Sequence, residues 1–111
     1  MPHTPEELAQ GQLDAYNAHD LESFCRFFAE DIRVYDGHSH ELLFEGMKAF
    51  RERYSDTLSN PDLHCNLVCR MVQDNIVIDQ ESVIVDPNKE PVKAIAVYTV
   101  QNQIIQEVRF Y

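Results

Sequence analysis

The sequence predicts an α+β fold in which a strongly curved antiparallel sheet is rolled into a cone around three helices from the N-terminal half. Three observations predict it. Apolar residues recur at helical spacing in three stretches before residue 58; a two-residue alternation dominates from residue 63 onward; and the alternating segments are long, with short polar turns between them. At 111 residues the chain has the length of one domain, 1–111, and no linker, repeat or low-complexity segment divides it. A hydrophobic fraction of 44%, with six Phe and five Tyr, is ample for a packed core and excludes a disordered chain.

Each element follows from its residues. Thr4-Pro5-Glu6-Glu7 opens a helix: Thr4 caps, Pro5 suits the first helical position, and Glu7 completes a capping box. Leu8, Ala9, Leu13 and Tyr16 carry that helix to about Ala18. Asp20 caps a second helix whose stripe is Leu21, Phe24, Cys25 and Phe28. After Glu30-Asp31 the period changes. Ile32, Val34 and Asp36 share one face of a short strand, with Arg33 and Tyr35 on the other. Gly37-His38-Ser39-His40 is a turn and Leu42-Leu43-Phe44 a returning strand. A third helix follows Gly46, with Met47, Phe50, Tyr54 and Leu58 on one face, and ends at Ser59-Asn60-Pro61-Asp62. Strands are then expected over 63–72, 76–85, 92–100 and 104–111, the first two joined by a tight hairpin at Gln73-Asp74-Asn75.

The charge excludes several functions. Nine Lys+Arg against 19 Asp+Glu give a formal net charge of -10, which disfavours nucleic acid and anionic membrane surfaces. No apolar run approaches the roughly 20 residues that span a bilayer. The opening Met1-Pro2-His3-Thr4-Pro5-Glu6-Glu7 lacks the basic and apolar regions of a secretory signal. The three cysteines, 25, 65 and 69, form no Cys-x-x-Cys pair, and Cys65 and Cys69 are too far apart along one strand for a disulfide. Buried thiols in a reducing cytoplasm are expected. Apolar residues on both faces of the late strands, Ile95 and Val97 against Ala94, Ala96 and Tyr98, call for cover on the outer side. A homodimer joined through the sheet would supply it.

Three segments resemble nuclear transport factor 2-like proteins, and within them the SnoaL-like and ketosteroid isomerase-like branches. Leu13-Asp14-Ala15-Tyr16-Asn17-Ala18-His19-Asp20-Leu21 is similar to their Tyr-x-x-Ala-x-Asn-Ala-x-Asp-Leu-Asp opening. Phe28-Ala29-Glu30-Asp31-Ile32-Arg33-Val34-Tyr35-Asp36 resembles their Phe-Ala-x-Asp-x-x-Val-x-Asp segment. Glu45-Gly46-Met47-Lys48-Ala49-Phe50-Arg51-Glu52-Arg53-Tyr54 resembles the third helix. The resemblance covers essentially the whole chain and implies a cystatin-like roll with a pocket at its open end. The superfamily includes isomerases, cyclases, dehydratases and non-catalytic binding modules.

What the resemblance implies for the site is partial. Asp36 falls where ketosteroid isomerases keep the carboxylate that moves a proton beside a carbonyl. Their oxyanion donors are not matched: the first-helix tyrosine position falls on Gln12 and the protonated-acid position on Ala96. Tyr16, Tyr54 and Tyr98 fall on cavity-lining positions. The expected pocket is Gln12, Tyr16, Phe28, His38, Tyr54, Ala96 and Tyr98, with Asp36 as general base. Each of these residues also has an ordinary structural role open to it: Gln12 as a helix-edge residue reaching solvent, Phe24, Phe28 and Phe50 as core, and Asp36 paired to Arg or His or wetted at a cavity rim. Asp36, His38 and His40 alternate, as metal ligands can, but the turn at Gly37 and Ser39 would scatter them, so no metal is expected. No cofactor motif is present, and none is expected. The resulting expectation is a protein that binds a small apolar molecule, as a cofactor-free isomerase or cyclase acting by proton transfer on an apolar carbonyl compound. A non-catalytic ligand-binding or dimerisation module of the same fold is the alternative.

Overall fold

The computed structural model describes residues 3–111; Met1-Pro2, part of the stretch read for a leader, lies outside them. Helix α1 (Pro5–Asn17) begins at the expected capping box. Glu7 N donates to Thr4 Oγ1 at 3.2 Å and Thr4 N donates to Glu7 Oε1 at 2.9 Å, satisfying two backbone donors that the first turn would otherwise leave open. Helix α2 (Leu21–Cys25) is one short turn and a half, capped by Asp20 through Ser23 N. Helix α3 (Met47–Leu58) starts at Gly46, which takes φ +89°, a left-handed conformation that favours glycine.

Six strands form one sheet: β1 (Phe28–Asp36), β2 (Leu42–Glu45), β3 (His64–Gln73), β4 (Ile76–Ile84), β5 (Val92–Gln101) and β6 (Ile104–Phe110), in the order β2-β1-β6-β5-β4-β3. Two features differ from expectation. The β1–β6 pair is parallel, with Val34 opposite Val108 and Asp36 opposite Phe110, so the sheet is not wholly antiparallel. Phe28 is not the last residue of the α2 stripe but the first of β1, because β6 captures the chain there: Ile105 N donates to Phe27 O at 3.0 Å and Phe28 pairs with Ile105.

The two-residue loops follow from backbone conformation. Gln101 pairs with Ile104 across Asn102 and Gln103, both at positive φ, which matches the right-handed twist of the flanking strands. The β3–β4 hairpin closes at Asp74-Asn75, where the Asn75 side chain donates to Val100 O at 3.0 Å and ties the turn to β5. A bulge at Val68 bends β3, and another between Thr99 and Val100 accompanies the bend of β5 and β6.

The concave face holds the core. Phe24, Phe28, Phe50 and Tyr54 form an aromatic cluster with ring centroids 4.5–5.6 Å apart, separations at which tilted and offset pairs attract. Ile32, Val34, Val77, Ile105 and Val108 floor it from the sheet. Among the described residues no helix covers the convex face, which leaves Val68, Met71 and Ile95 exposed. Cys25 and Cys65 are buried as expected, but Cys69, on the far side of the bulge, is exposed; all three are free thiols. No helix among the described residues is long and apolar enough to cross a membrane.

Candidate functional site

Between the helices and the concave sheet lies a cavity of about 350 Å³, within the roughly 300–1,000 Å³ range of small-molecule sites. Its wall is built from α1, α2, α3 and residues of all six strands, Phe24 of α2 and Cys65 of β3 included. Of the residues expected there, Gln12, Tyr16, Phe28, Tyr54 and Tyr98 line it.

The structure corrects the placement of the other three. Asp36 lies on the face of β1 that carries Ile32 and Val34, but the strand ends there. Its Oδ1 accepts from His38 N at 2.8 Å and Ser39 N at 3.1 Å, an Asx turn that directs the carboxylate back over its own loop. Those two backbone donors hold its carboxyl below the usual carboxylate range. Neither Asp36 nor His38 is among the lining residues. His38 is exposed and meets the edge of the Tyr111 ring. That ring lies over Gly37, where any Cβ would collide with it. Ala96 is fully buried opposite Asp79, and Ala94, one inward position earlier on β5, reaches the cavity instead. Among the described residues no group of three or more His, Cys, Asp or Glu side chains is arranged to hold a metal.

Gln12 is not at a solvent edge. It is buried, and its Nε2 donates to Ala9 O at 2.9 Å and to the Tyr98 hydroxyl at 3.1 Å. With its oxygen occupied as acceptor, the Tyr98 phenol keeps its own proton available as a donor.

The acidic group of the cavity is Glu81, on β4. It is 7% exposed and lines the cavity beside Cys65, Tyr16, Tyr54 and Tyr98. Burial pushes its carboxyl up to about 7; the negative charge of Asp79 adds to the rise, while the Cys65 thiol and the Arg70 guanidinium draw it back. The surrounding phenols are all raised, first by burial; neighbouring groups add to the rise at Tyr16 and Tyr98, whereas the Arg53 charge draws Tyr54 back. The Cys65 thiol is raised to about 12 by burial and by Glu81, so it is a neutral neighbour rather than a nucleophile.

Two devices fix this wall. Asn17, just past the last apolar residue of α1, clamps the start of β3: its Nδ2 donates to Cys65 O at 2.9 Å and its Oδ1 accepts from Cys65 N at 2.8 Å. One inward position from Glu81, the wholly buried Asp79 takes a two-pronged ion pair from Arg70, Nε to Oδ1 at 2.7 Å and Nη2 to Oδ2 at 2.9 Å. Arg70 Nη1 also donates to Gln10 Oε1 on α1 at 2.9 Å, linking sheet to helix. Sequence reading missed Asp79 and Glu81, although a signal exists. Val77, Asp79, Glu81 and Val83 alternate along β4, so the two carboxyls share the inward face of their apolar neighbours.

The family model for the SnoaL-like domain matches residues 9–108. The chain belongs to the SnoaL-like domain family. No curated protein matches the sequence. Among solved structures, an uncharacterised cystatin-fold protein from Novosphingobium aromaticivorans is similar over 98% of both chains, with 21% identity and a TM-score of 0.87. A proposed ketosteroid isomerase from Kribbella flavida is similar over 96% of this chain and 75% of its own, with 16% identity and a TM-score of 0.82. A proposed polyketide cyclase from Sinorhizobium meliloti is similar over 94% and 93%, with 16% identity and a TM-score of 0.77. At these identities the SnoaL-like chain shares the nuclear transport factor 2-like, cystatin-like fold with them, and the fold alone.

Proposed function

We propose that this SnoaL-like protein binds a small apolar carbonyl compound in the cavity and moves a proton on it without a cofactor, with Glu81 rather than Asp36 as the proton-transfer group. The single observation that carries this reading is a buried carboxyl beside the Tyr16, Tyr54 and Tyr98 phenols in a mostly apolar hollow, where burial pushes it up to about 7. A base of that strength is partly ionised at neutral pH and its conjugate acid can return the proton. In the forward step the Glu81 carboxylate takes a proton from the carbon beside the carbonyl, and the electron pair moves onto the carbonyl oxygen as an enolate. A phenol donates to that oxygen. Tyr98 is oriented for this by Gln12, with Tyr16 and Tyr54 beside it. Where the ketone carries a double bond between its second and third carbons from the carbonyl, the enolate is conjugated with it. Return of the proton from Glu81 to that third carbon then moves the double bond beside the carbonyl, completing an isomerisation. The neighbours described as a ketosteroid isomerase and a polyketide cyclase fit this chemistry.

Deuterium uptake tests it directly. A panel of apolar cyclic ketones in D2O should gain deuterium beside the carbonyl with the parent protein, and lose that gain in Glu81→Gln. Unchanged uptake in Glu81→Gln would remove Glu81 from the chemistry. Binding of the same ketones with no uptake in the parent would favour the non-catalytic binding module.

The convex sheet face supports a homodimer. Val68 and Met71, about 60% exposed, share that face with Ile95, Val68 and Ile95 lying beside Tyr111, and a second copy would cover them. Sedimentation at micromolar concentration should give twice the monomer mass, and Ile95→Lys should halve it. The three free thiols suit a reducing compartment such as the cytoplasm.

A further inference from the structure

We propose that the substrate carries a carboxylate at the end remote from the reacting carbonyl, and that Arg53 grips that carboxylate at the cavity mouth. This rests on the reading of the cavity as a ligand site given above and adds to it the class of ligand. Among the described residues that line the cavity, two are charged, and they lie in different surroundings: Glu81 is buried, Arg53 exposed. Arg53 has no carboxylate within ion-pair distance among the described residues, in a chain of net charge -10 where Arg51, Arg70 and Arg109 are each held in an ion pair. Its guanidinium lies over the Phe44 ring, 5.7 Å from the centroid, on the edge strand β2. That contact holds a flexible side chain above the mouth while leaving its hydrogen-bond donors unused.

The remaining polar group on that rim does not compete. Thr57, one helical turn from Arg53, donates its hydroxyl proton to Arg53 O at 3.2 Å. Leu43, Phe44, Val85 and Val92 complete the rim with apolar surface. The walls therefore suit a body without charge, and the rim supplies one planar cation. A single guanidinium in a strongly acidic protein matches a monoanion held by two parallel bonds better than a dianionic phosphate, which would leave charge unmatched.

The experiment is a calorimetric comparison of decanoate with decanol, equal in chain and different in headgroup, on the parent, Arg53→Met and Glu81→Gln proteins at physiological salt. Decanoate should bind about tenfold more tightly than decanol to the parent. Arg53→Met should abolish that preference while leaving decanol affinity unchanged, and Glu81→Gln should retain it. Equal affinities in the parent, or a preference that survives Arg53→Met, would overturn the assignment of Arg53 while leaving the cavity a ligand site. Failure of both compounds to bind the parent would overturn the cavity reading and this proposal with it.

Discussion

Gln12 Nε2 donates to the Tyr98 hydroxyl at 3.1 Å, joining the first helix to the fifth strand across 86 residues of sequence. Because the phenol oxygen is engaged as an acceptor, its proton is free for another partner. Tyr98→Phe should therefore lower deuterium uptake by about a hundredfold, the usual cost of removing one oxyanion donor, while affinity for an apolar ketone stays near that of the parent. Gln12→Leu should lower uptake less, since it removes the orientation and not the donor. Exchange rates and calorimetric affinities measured on both variants check this.

Glu81 makes stability depend on pH. Burial pushes its carboxyl up to about 7 in the fold, from an ordinary value of 4.5. Folding therefore favours the protonated form, and this contribution is complete below pH 4.5 and lost as pH rises through 7. The difference corresponds to about 3 kcal/mol. Glu81→Gln, which stays neutral, should be more stable than the parent at pH 8, and this advantage should vanish near pH 4. Urea unfolding at the two pH values measures it.

Asp36 has a structural task. Asp36→Asn should leave ketone affinity and deuterium uptake within about twofold of the parent, and lower the melting temperature modestly through loss of a charged acceptor for His38 N and Ser39 N. A collapse of exchange activity in this variant would return Asp36 to the chemistry.

Arg70 and Asp79 form a buried pair whose side chains are 10% and 0% exposed. Arg70→Met strands the Asp79 charge and should cost about 3–5 kcal/mol. Replacing both partners, Arg70→Met with Asp79→Leu, should recover most of that loss. In the single variant the Glu81 carboxyl should also titrate higher, because Asp79 would act on it without its counter-ion. Denaturant melts of the single and double variants give the stability terms.

The elements set by local chemistry were legible in the sequence. Thr4 with Glu7, Asp20 and the Asp74-Asn75 turn each have a partner within a few residues, so short-range pattern locates them. The parallel β1–β6 pairing is joined by contacts far apart in sequence, and nothing local signals it. Alternation gives Asp36 a face and not a strand end: it shares the face of Ile32 and Val34, but the turn that follows claims the carboxylate. Glu81 was overlooked for the converse reason. A carboxylate on a strand ordinarily faces water, and only Val77 and Val83 on either side show that this face of β4 points inward.

The most direct measurement is a carbon NMR titration of side-chain carboxyls, with Glu81 assigned by the resonance missing from Glu81→Gln. Enclosure among phenols and beside Asp79 predicts a midpoint near 7 for that resonance. A midpoint in the ordinary glutamate range, close to 4.3, would contradict it and leave the cavity without a proton-transfer group.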